Sequence, residues 1–224
     1  MYTNVNLESH IAALLLLGSG GLIVLLLIMA AVLLFARPGW VRYPLLAAAA
    51  VGLGYGLLLA AFSLISSQQT LPRGEEKHFC ELDCHIAYSV QDVRRVKAIG
   101  DTAASGEFTV ITLRTRFDED TIASWRGRER PLIPGPIAMA LIDTNGHRYP
   151  VSGAGQTAWN AAHGQAHSMQ ECLRPGESYE TTWVFDLPAE VSSPRLLLSS
   201  VQKPSLVLIG DEDSPRHQKT YLGL

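Results

Sequence analysis

The sequence predicts an N-terminal two-helix transmembrane hairpin followed by an all-β antiparallel sandwich. Three observations carry that prediction. Two apolar segments without a charged residue, 11–35 and 44–65, occupy the first third of a 224-residue chain. A seven-residue link, Ala36-Arg-Pro-Gly-Trp-Val-Arg42, lies between them. From about residue 78 onward the pattern changes to short β-branched and aromatic runs separated by Pro and Gly turns.

Each apolar segment, at ~1.5 Å per residue, is long enough to cross a hydrocarbon core of ~30 Å. The link is short enough only for a turn between antiparallel helices. Arg37 and Arg42 flank it, and the first ten residues carry no Lys or Arg. The positive-inside bias therefore puts the link in the cytoplasm. This gives a two-pass protein of a bacterial inner membrane, with the N-terminus and the C-terminal domain on the periplasmic side. Arg73 and Lys77 oppose that orientation, and the neighbouring Glu75 and Glu76 count for little in the rule. The first segment lacks a basic n-region and, at 25 residues, exceeds the h-region of a signal peptide, so it is expected to be retained. Trp40 and Tyr43 suit headgroup-level anchors.

Ala48, Gly52, Gly56 and Ala60 recur every four residues and line one face of the second helix. In the first helix Gly18, Ser19, Gly20 and Gly21 form a thin patch at one depth. Small residues let helix backbones approach closely, which matters where lipid supplies little hydrophobic drive. Two readings stay open: the thin surfaces pack on each other, or one receives a helix of another protein.

The expected organisation is an extracytoplasmic N-terminus (1–10), the hairpin (11–66), a polar linker (67–77), the β-sandwich (78–210) and a polar C-terminal tail (211–224). Of the 18 Lys and Arg, only Arg37 and Arg42 precede Arg73; of the 21 Asp and Glu, only Glu8 does. The domain is thus mildly acidic, which argues against nucleic-acid binding and against an anionic-lipid clamp.

Strands are expected in order. One or two lie within 79–98. In 107–117, Leu113, Thr115 and Phe117 alternate with Arg114 and Arg116. A short apolar run, 136–142, meets the turn Asp143-Thr-Asn-Gly146 and returns over 147–151. After Pro175-Gly176, residues Tyr179, Thr181, Trp183, Phe185 and Leu187 alternate with Glu180, Thr182, Val184 and Asp186. Segments 195–201 and 206–209 complete seven or eight short strands with almost no helical periodicity, the pattern of a sandwich.

Several of these stretches carry a resemblance. They are Gly106-Glu-Phe-Thr-Val-Ile-Thr-Leu113, Leu141-Ile-Asp-Thr-Asn-Gly-His-Arg-Tyr149, Leu173-Arg-Pro-Gly-Glu-Ser-Tyr179 and Trp183-Val-Phe-Asp-Leu-Pro188. Together they resemble an immunoglobulin-like family of unknown function found on bacterial membrane-anchored and secreted proteins. The resemblance, over residues ~79–209, implies an extracytoplasmic immunoglobulin-like antiparallel sandwich and no catalytic residue.

Two clusters could carry chemistry. His78-Phe-Cys-Glu-Leu-Asp-Cys-His85 groups Cys80, Cys84, His78 and His85; a second cluster holds His163, His167, Met169 and Cys172. Thiolate, imidazole and thioether are copper ligands. The layout of hairpin plus β domain is similar to cytochrome c oxidase subunit two, with its paired-cysteine copper motif. The likeness is architectural only: the positions where that family has its following His and Met hold Tyr88 and Gln91, so the ligands do not carry over. Disulfide formation is the other reading, because periplasmic thiols oxidise. On a regular strand Cys80 and Cys84 would lie ~13 Å apart, so they pair only if 81–83 turns the chain. Cys172 is an alternative partner for either, and three cysteines leave one thiol over.

Arg126, Arg128 and Arg130 form a basic loop, read as solvated or as a docking patch for an acidic partner. Asp211-Glu-Asp213 reads as solvated. No nucleotide-binding glycine motif, nucleophile elbow, zinc-protease signature or small-molecule substrate site stands out. The expectation is a non-catalytic accessory subunit. Its partners would be integral membrane protein subunits and the lipid bilayer, within a respiratory or photosynthetic complex by base rate. The alternative is a copper-binding or thiol-redox protein using Cys80, Cys84 and His85.

Overall fold

A computed structural model of the chain describes residues 2–5, 7, 9–80, 84–122, 127, 130–164, 167–201 and 203–224. It divides into two compact units, one of Met1–Asn4, Gln68–Gln202 and Lys219–Leu224, the other of Val5–Ser67 and Lys203–Gln218.

The second unit is built on two long apolar helices, α1 (Ser9–Ala36) and α2 (Arg42–Ile65), joined through a 3-10 turn at Pro38–Trp40. Proline fits the first turn of such an element because its missing N–H would be unpaired there anyway. Along α1 a shielded row runs through Ala12, Leu16, Ser19, Ile23, Leu26, Ala30 and Leu33, with Ala13 beside its start. The steps of the row alternate four and three, the spacing of a coiled-coil seam. On α2 the shielded residues are Pro44, Ala48, Val51, Tyr55, Leu59, Phe62 and Ser63. Most other side chains of both helices, including Leu17, Phe35, Leu57 and Ile65, are exposed apolar groups.

The stretch 203–218 belongs to this unit. Residues 206–209, expected as a strand, lie instead in and after a 3-10 turn at Lys203–Val207. The reason is a side-chain anchor: the Tyr55 hydroxyl donates to the Val207 carbonyl at 2.6 Å. Asp211 and Glu212, expected as solvated, are each only 2% exposed. Asp211 pairs with Val5 through a β-bridge, and its carboxylate accepts the Asp213 N–H at 2.8 Å.

Among its described residues the first unit holds ten strands: β1 (Tyr2–Thr3), β2 (Gln69–Leu71), β3 (Lys77–Phe79), β4 (Ile86–Ile99), β5 (Thr102–Phe117), β6 (Ile137–Ile142), β7 (Arg148–Pro150), β8 (Ser178–Leu187), β9 (Arg195–Ser200) and β10 (Thr220–Gly223). They form two five-stranded sheets, ordered β1-β3-β4-β5-β8 and β2-β10-β9-β6-β7. Both sheets are mixed rather than wholly antiparallel, since β1 runs parallel to β3 and β2 parallel to β10. The parallel strands come from the expected N-terminus and linker, which are recruited to the edges of a sheet. Thr220–Gly223, in the stretch expected as a polar tail, supplies the strand beside β2.

Alternation decides which side chains enter the core. Tyr88, Ile111, Leu113, Phe117, Phe185 and Leu187 from the first sheet meet Leu71, Leu141, Leu196, Leu198 and Leu222 from the second. An unexpected helix, α3 (Gly153–His163), covers Phe108, Val110 and Val184 with Ala158 and Trp159. Ser152 caps it by accepting the Gly155 N–H, and the Gln156 side chain bonds the β8 backbone at Thr182 and Val184. A Cβ on Gly155 would come within 2.7 Å of a Val184 methyl, so glycine sets how closely α3 approaches.

Lys77 ties the sheets together. It is 0% exposed, and its ammonium donates to the carbonyls of Leu198 on β9 and Thr220 on β10, at 3.3 and 2.8 Å. Removing this cation takes a donor away from both carbonyls. Lys77→Met is expected to destabilise the β-rich unit by about 2–4 kcal/mol and to lower its melting temperature by on the order of 10 °C. Tryptophan fluorescence of the full chain in detergent measures this, and Lys97→Met, at an exposed strand position, is expected to change nothing.

Candidate functional site

The first cysteine cluster lies where β3 gives way to β4. The strands are antiparallel, with Phe79 opposite Ile86, so the chain reverses between them. That reversal brings the α-carbons of Cys80 and Cys84 to 4.0 Å, and the two form a disulfide. The intervening 81–83 lie outside the described residues. Asn4 accepts the Cys80 N–H at 2.7 Å, and the Thr121 hydroxyl donates to the Cys84 carbonyl at 3.1 Å. His85 is buried and stacked on Phe117, ring centroids 4.7 Å apart.

The second cluster is dispersed. His163 ends α3, stacks on Trp159 at 3.8 Å and bonds its carbonyl. His167 is exposed and pairs with Glu171 at 2.8 Å. Met169 packs against the main core, while its carbonyl accepts the Tyr179 hydroxyl. Cys172 is a free, exposed thiol. Cys80 and Cys84 are joined in the disulfide, and His85, His163, His167 and Met169 each have the separate contacts given above.

A different group does converge. Glu76, His78 and Asp118 place ligand atoms within 4.8 Å of one another, the one such group among the described residues. Arg116 lies among them. Its guanidinium donates to both Glu76 oxygens at 2.7 and 2.6 Å and lies 3.2 Å from Asp118 Oδ2, while His78 Nε2 is 2.9 Å from that oxygen. The carboxylates therefore already have a fixed cation, and a divalent ion here would face the guanidinium. The group is a buried ion-pair network that braces the disulfide hairpin. Sequence reasoning missed it because its members come from a linker, a strand and a strand end. Its traces in the sequence were His78, read with the cysteine cluster, and the outward alternation of Arg114 and Arg116.

Its electrostatics follow from those partners. Hydrogen bonds from Arg116 outweigh burial and hold the Glu76 carboxyl below its ordinary range. Burial works to raise the Asp118 carboxyl, but donation from His78, from the Asp120 N–H and from Arg116 prevails and lowers it.

The turn motifs behind the family resemblance also resolve into structural roles. Asp143 accepts the Asn145 and His147 N–H groups at 2.8 and 2.9 Å, and its other oxygen meets the His147 ring and the Tyr149 hydroxyl at 3.0 and 3.2 Å. Gly146 supplies the positive φ, +85°, that the turn needs. In the Pro-Gly-Glu turn, Glu177 accepts the Arg174 N–H at 2.8 Å. Arg130 is exposed, whereas Arg126 and Arg128 lie outside the described residues.

On the helices, Ala48 lies on the interhelical seam, and a Cβ on Gly52 would only touch Ile23 at 3.9 Å. Gly18, Gly20, Gly21 and Gly56 face open space, and Ala60 is exposed. Of the two thin surfaces, Ser19 and Ala48 lie on the interhelical seam, while Gly18, Gly20, Gly21, Gly56 and Ala60 lie off it.

No protein-family model matches the chain, and no curated protein matches it. Among solved structures it is similar to a conserved hypothetical protein from Bacillus anthracis (16% identity, 51% of this chain and 81% of that one, TM-score 0.38). It is also similar to the secreted protein MPT63 from Mycobacterium tuberculosis (13% identity, 70% and 98%, TM-score 0.42). A third neighbour is the yjhA protein from Bacillus subtilis (16% identity, 68% and 98%, TM-score 0.41). These are hypothetical or secreted bacterial proteins, and likenesses of this strength assign no function.

Two outcomes are expected. Of the three cysteines, maleimide should label Cys172 alone in the oxidised protein, and all three after reduction and denaturation, as read by mass spectrometry. Both network carboxyls sit below their ordinary range, so the stability they contribute is present above the unfolded-state values near 4. It is lost as pH falls through the lowered folded-state values. Thermal unfolding should therefore show stability declining from about pH 5 downward, with a flatter decline in Glu76→Gln and Asp118→Asn.

Proposed function

We propose that this protein is a non-catalytic, membrane-anchored accessory subunit of a larger bacterial membrane complex. Its helices cross the inner membrane and pack against other integral subunits. Its β-rich region, of the immunoglobulin-like type, caps the periplasmic face of that complex. The observation that carries the reading is the unused thin surface on the helices. Gly18, Gly21, Gly56 and Ala60 lie off the seam that joins α1 to α2. A small-residue face left open inside a hairpin is suited to a third helix, which gains dispersion contacts that lipid chains make less well. The polar clusters of the β-rich region support a scaffolding role, since their donors and acceptors serve turns, strand ends and sheet contacts.

The test is extraction in a mild detergent followed by native sizing and identification of co-purifying proteins. A discrete complex larger than the 224-residue chain alone is expected. Gly56→Ile, placed where nothing lies within 4 Å, should reduce recovery of the partner at least tenfold while the isolated protein unfolds as before. Migration of the wild-type protein alone, without a co-purifying subunit, would overturn the reading.

A further inference from the structure

The turn at 203–210 has no place in the accessory-subunit reading, yet its position along α2 is informative. The Tyr55 hydroxyl holds the Val207 carbonyl, and Tyr55 lies ten residues before the end of α2 at Ile65. That is ~15 Å along the helix axis. Helical side chains lean toward the N-terminus, so the phenol carries its partner deeper rather than back toward the helix end. The exposed leucines beside it, Leu57 and Leu58, are the surface of an apolar span.

We propose that this turn is a membrane-embedded wedge, with Leu206 and Val207 inserted into the hydrocarbon of the leaflet on the side of the β-rich region. The inference rests on α1 and α2 crossing the bilayer. The side chains sort as lipid insertion requires. Ile209 and Leu208 are buried, whereas Leu206 and Val207 are 52% and 47% exposed. Residues 204–210 carry no charge, and the acids that follow, Asp211 and Glu212, are buried inside the unit. The backbone sorts the same way. Non-helical chain is tolerated at membrane depth only where its backbone is buried in protein and its polar groups are paired, and here Ser205, Leu208 and Ile209 are buried in the unit. The Leu208 N–H donates to the Ser205 carbonyl, the Asp211 N–H to the Leu208 carbonyl, and the Val207 carbonyl receives Tyr55. Two apolar side chains at the tip of a turn are suited to displace acyl chains, because apolar surface is favoured out of water.

The experiment uses the full chain with Cys172→Ser, reconstituted into phosphatidylcholine vesicles with the Cys80–Cys84 disulfide intact. Single cysteines at Leu206, Val24 and Lys97 carry an environment-sensitive fluorophore. Quenching is compared between lipids bearing a nitroxide on the acyl chain and aqueous iodide. The probe at Leu206 is expected to follow the one at Val24, quenched several-fold more by lipid than by iodide, with Lys97 the reverse. A probe at Val207 should repeat the Leu206 result, and Tyr55→Phe should raise its exposure to iodide. If the probe at Leu206 behaves like Lys97 while Val24 is lipid-quenched, the wedge is wrong and the span stands. Iodide quenching at Val24 would remove the span itself. Shielding of Leu206 from both quenchers would mean that protein covers the turn, which also overturns the wedge.

Discussion

A buried ammonium sets the terms on which the β-rich unit holds together. Lys77 lies on one sheet and gives its protons to carbonyls of the other, at Leu198 and Thr220. An isolated charge in that position would cost several kcal/mol in lost hydration, so the carbonyls must be in place for the lysine to be buried. The dependence runs both ways. Thr220 belongs to β10, which forms only after the chain has left the unit at 202 and returned at 219. β10 in turn is the strand on which β2 pairs. The core between the sheets is therefore closed by segments far apart in sequence, joined through one cation as well as through apolar contact.

The remaining polar groups follow the same logic on a smaller scale. Asp186 accepts the Ser105 and Gly106 N–H groups, fixing the twisted β5 edge against β8. Asp143 closes the β6–β7 hairpin, and Asp118 links His78, Arg116 and the 3-10 turn that follows it. Each carboxylate collects several donors, which is how a short acid lowers its own charging cost while fixing a loop. Residues that looked chemically expressive in sequence thus have their hydrogen-bonding capacity taken up by the fold. A histidine stacked on Phe117 or paired with Glu171 is held in place by that contact.

Much of this was legible beforehand wherever the signal was local and periodic. The runs that became β5 and β8 alternate, those that became β6 and β9 are short apolar runs, and Asn145-Gly146 marks its own turn. The two long helices declare themselves by composition. What escaped was non-local or carried by weak formers. The helix α3 reads Gly-Ala-Gly-Gln-Thr-Ala-Trp-Asn-Ala-Ala-His; its glycines and β-branched residue suppress helical propensity, and it is held instead by the Ser152 cap and by packing on Val184 and Phe108. Residues 206–209 have strand composition but yield to the hydrogen bond from Tyr55, a partner 152 positions away. Lys77 looked like a linker charge because nothing in its neighbourhood names Leu198 or Thr220. The Cys80–Cys84 pairing depended on a turn that spacing alone left undecided.

The helices present the opposite case, where regular sequence conceals a choice of face. A stripe of small residues every four positions, Ala48 to Ala60, drifts across a helix of 3.6 residues per turn. A seam between two helices keeps step at alternating four and three. The two patterns coincide at Ala48 and then part, so that Gly56 and Ala60 face away from α1. The seam mixes small residues, Ala12, Ala30 and Ala48, with the larger Ile23, Leu26 and Val51. Glycine in a helix interior costs roughly 1 kcal/mol relative to alanine, and nothing within the hairpin offsets that cost at Gly18, Gly21 or Gly56. Under the accessory-subunit proposal, close backbone approach by another helix is the contact for which the missing Cβ atoms make room.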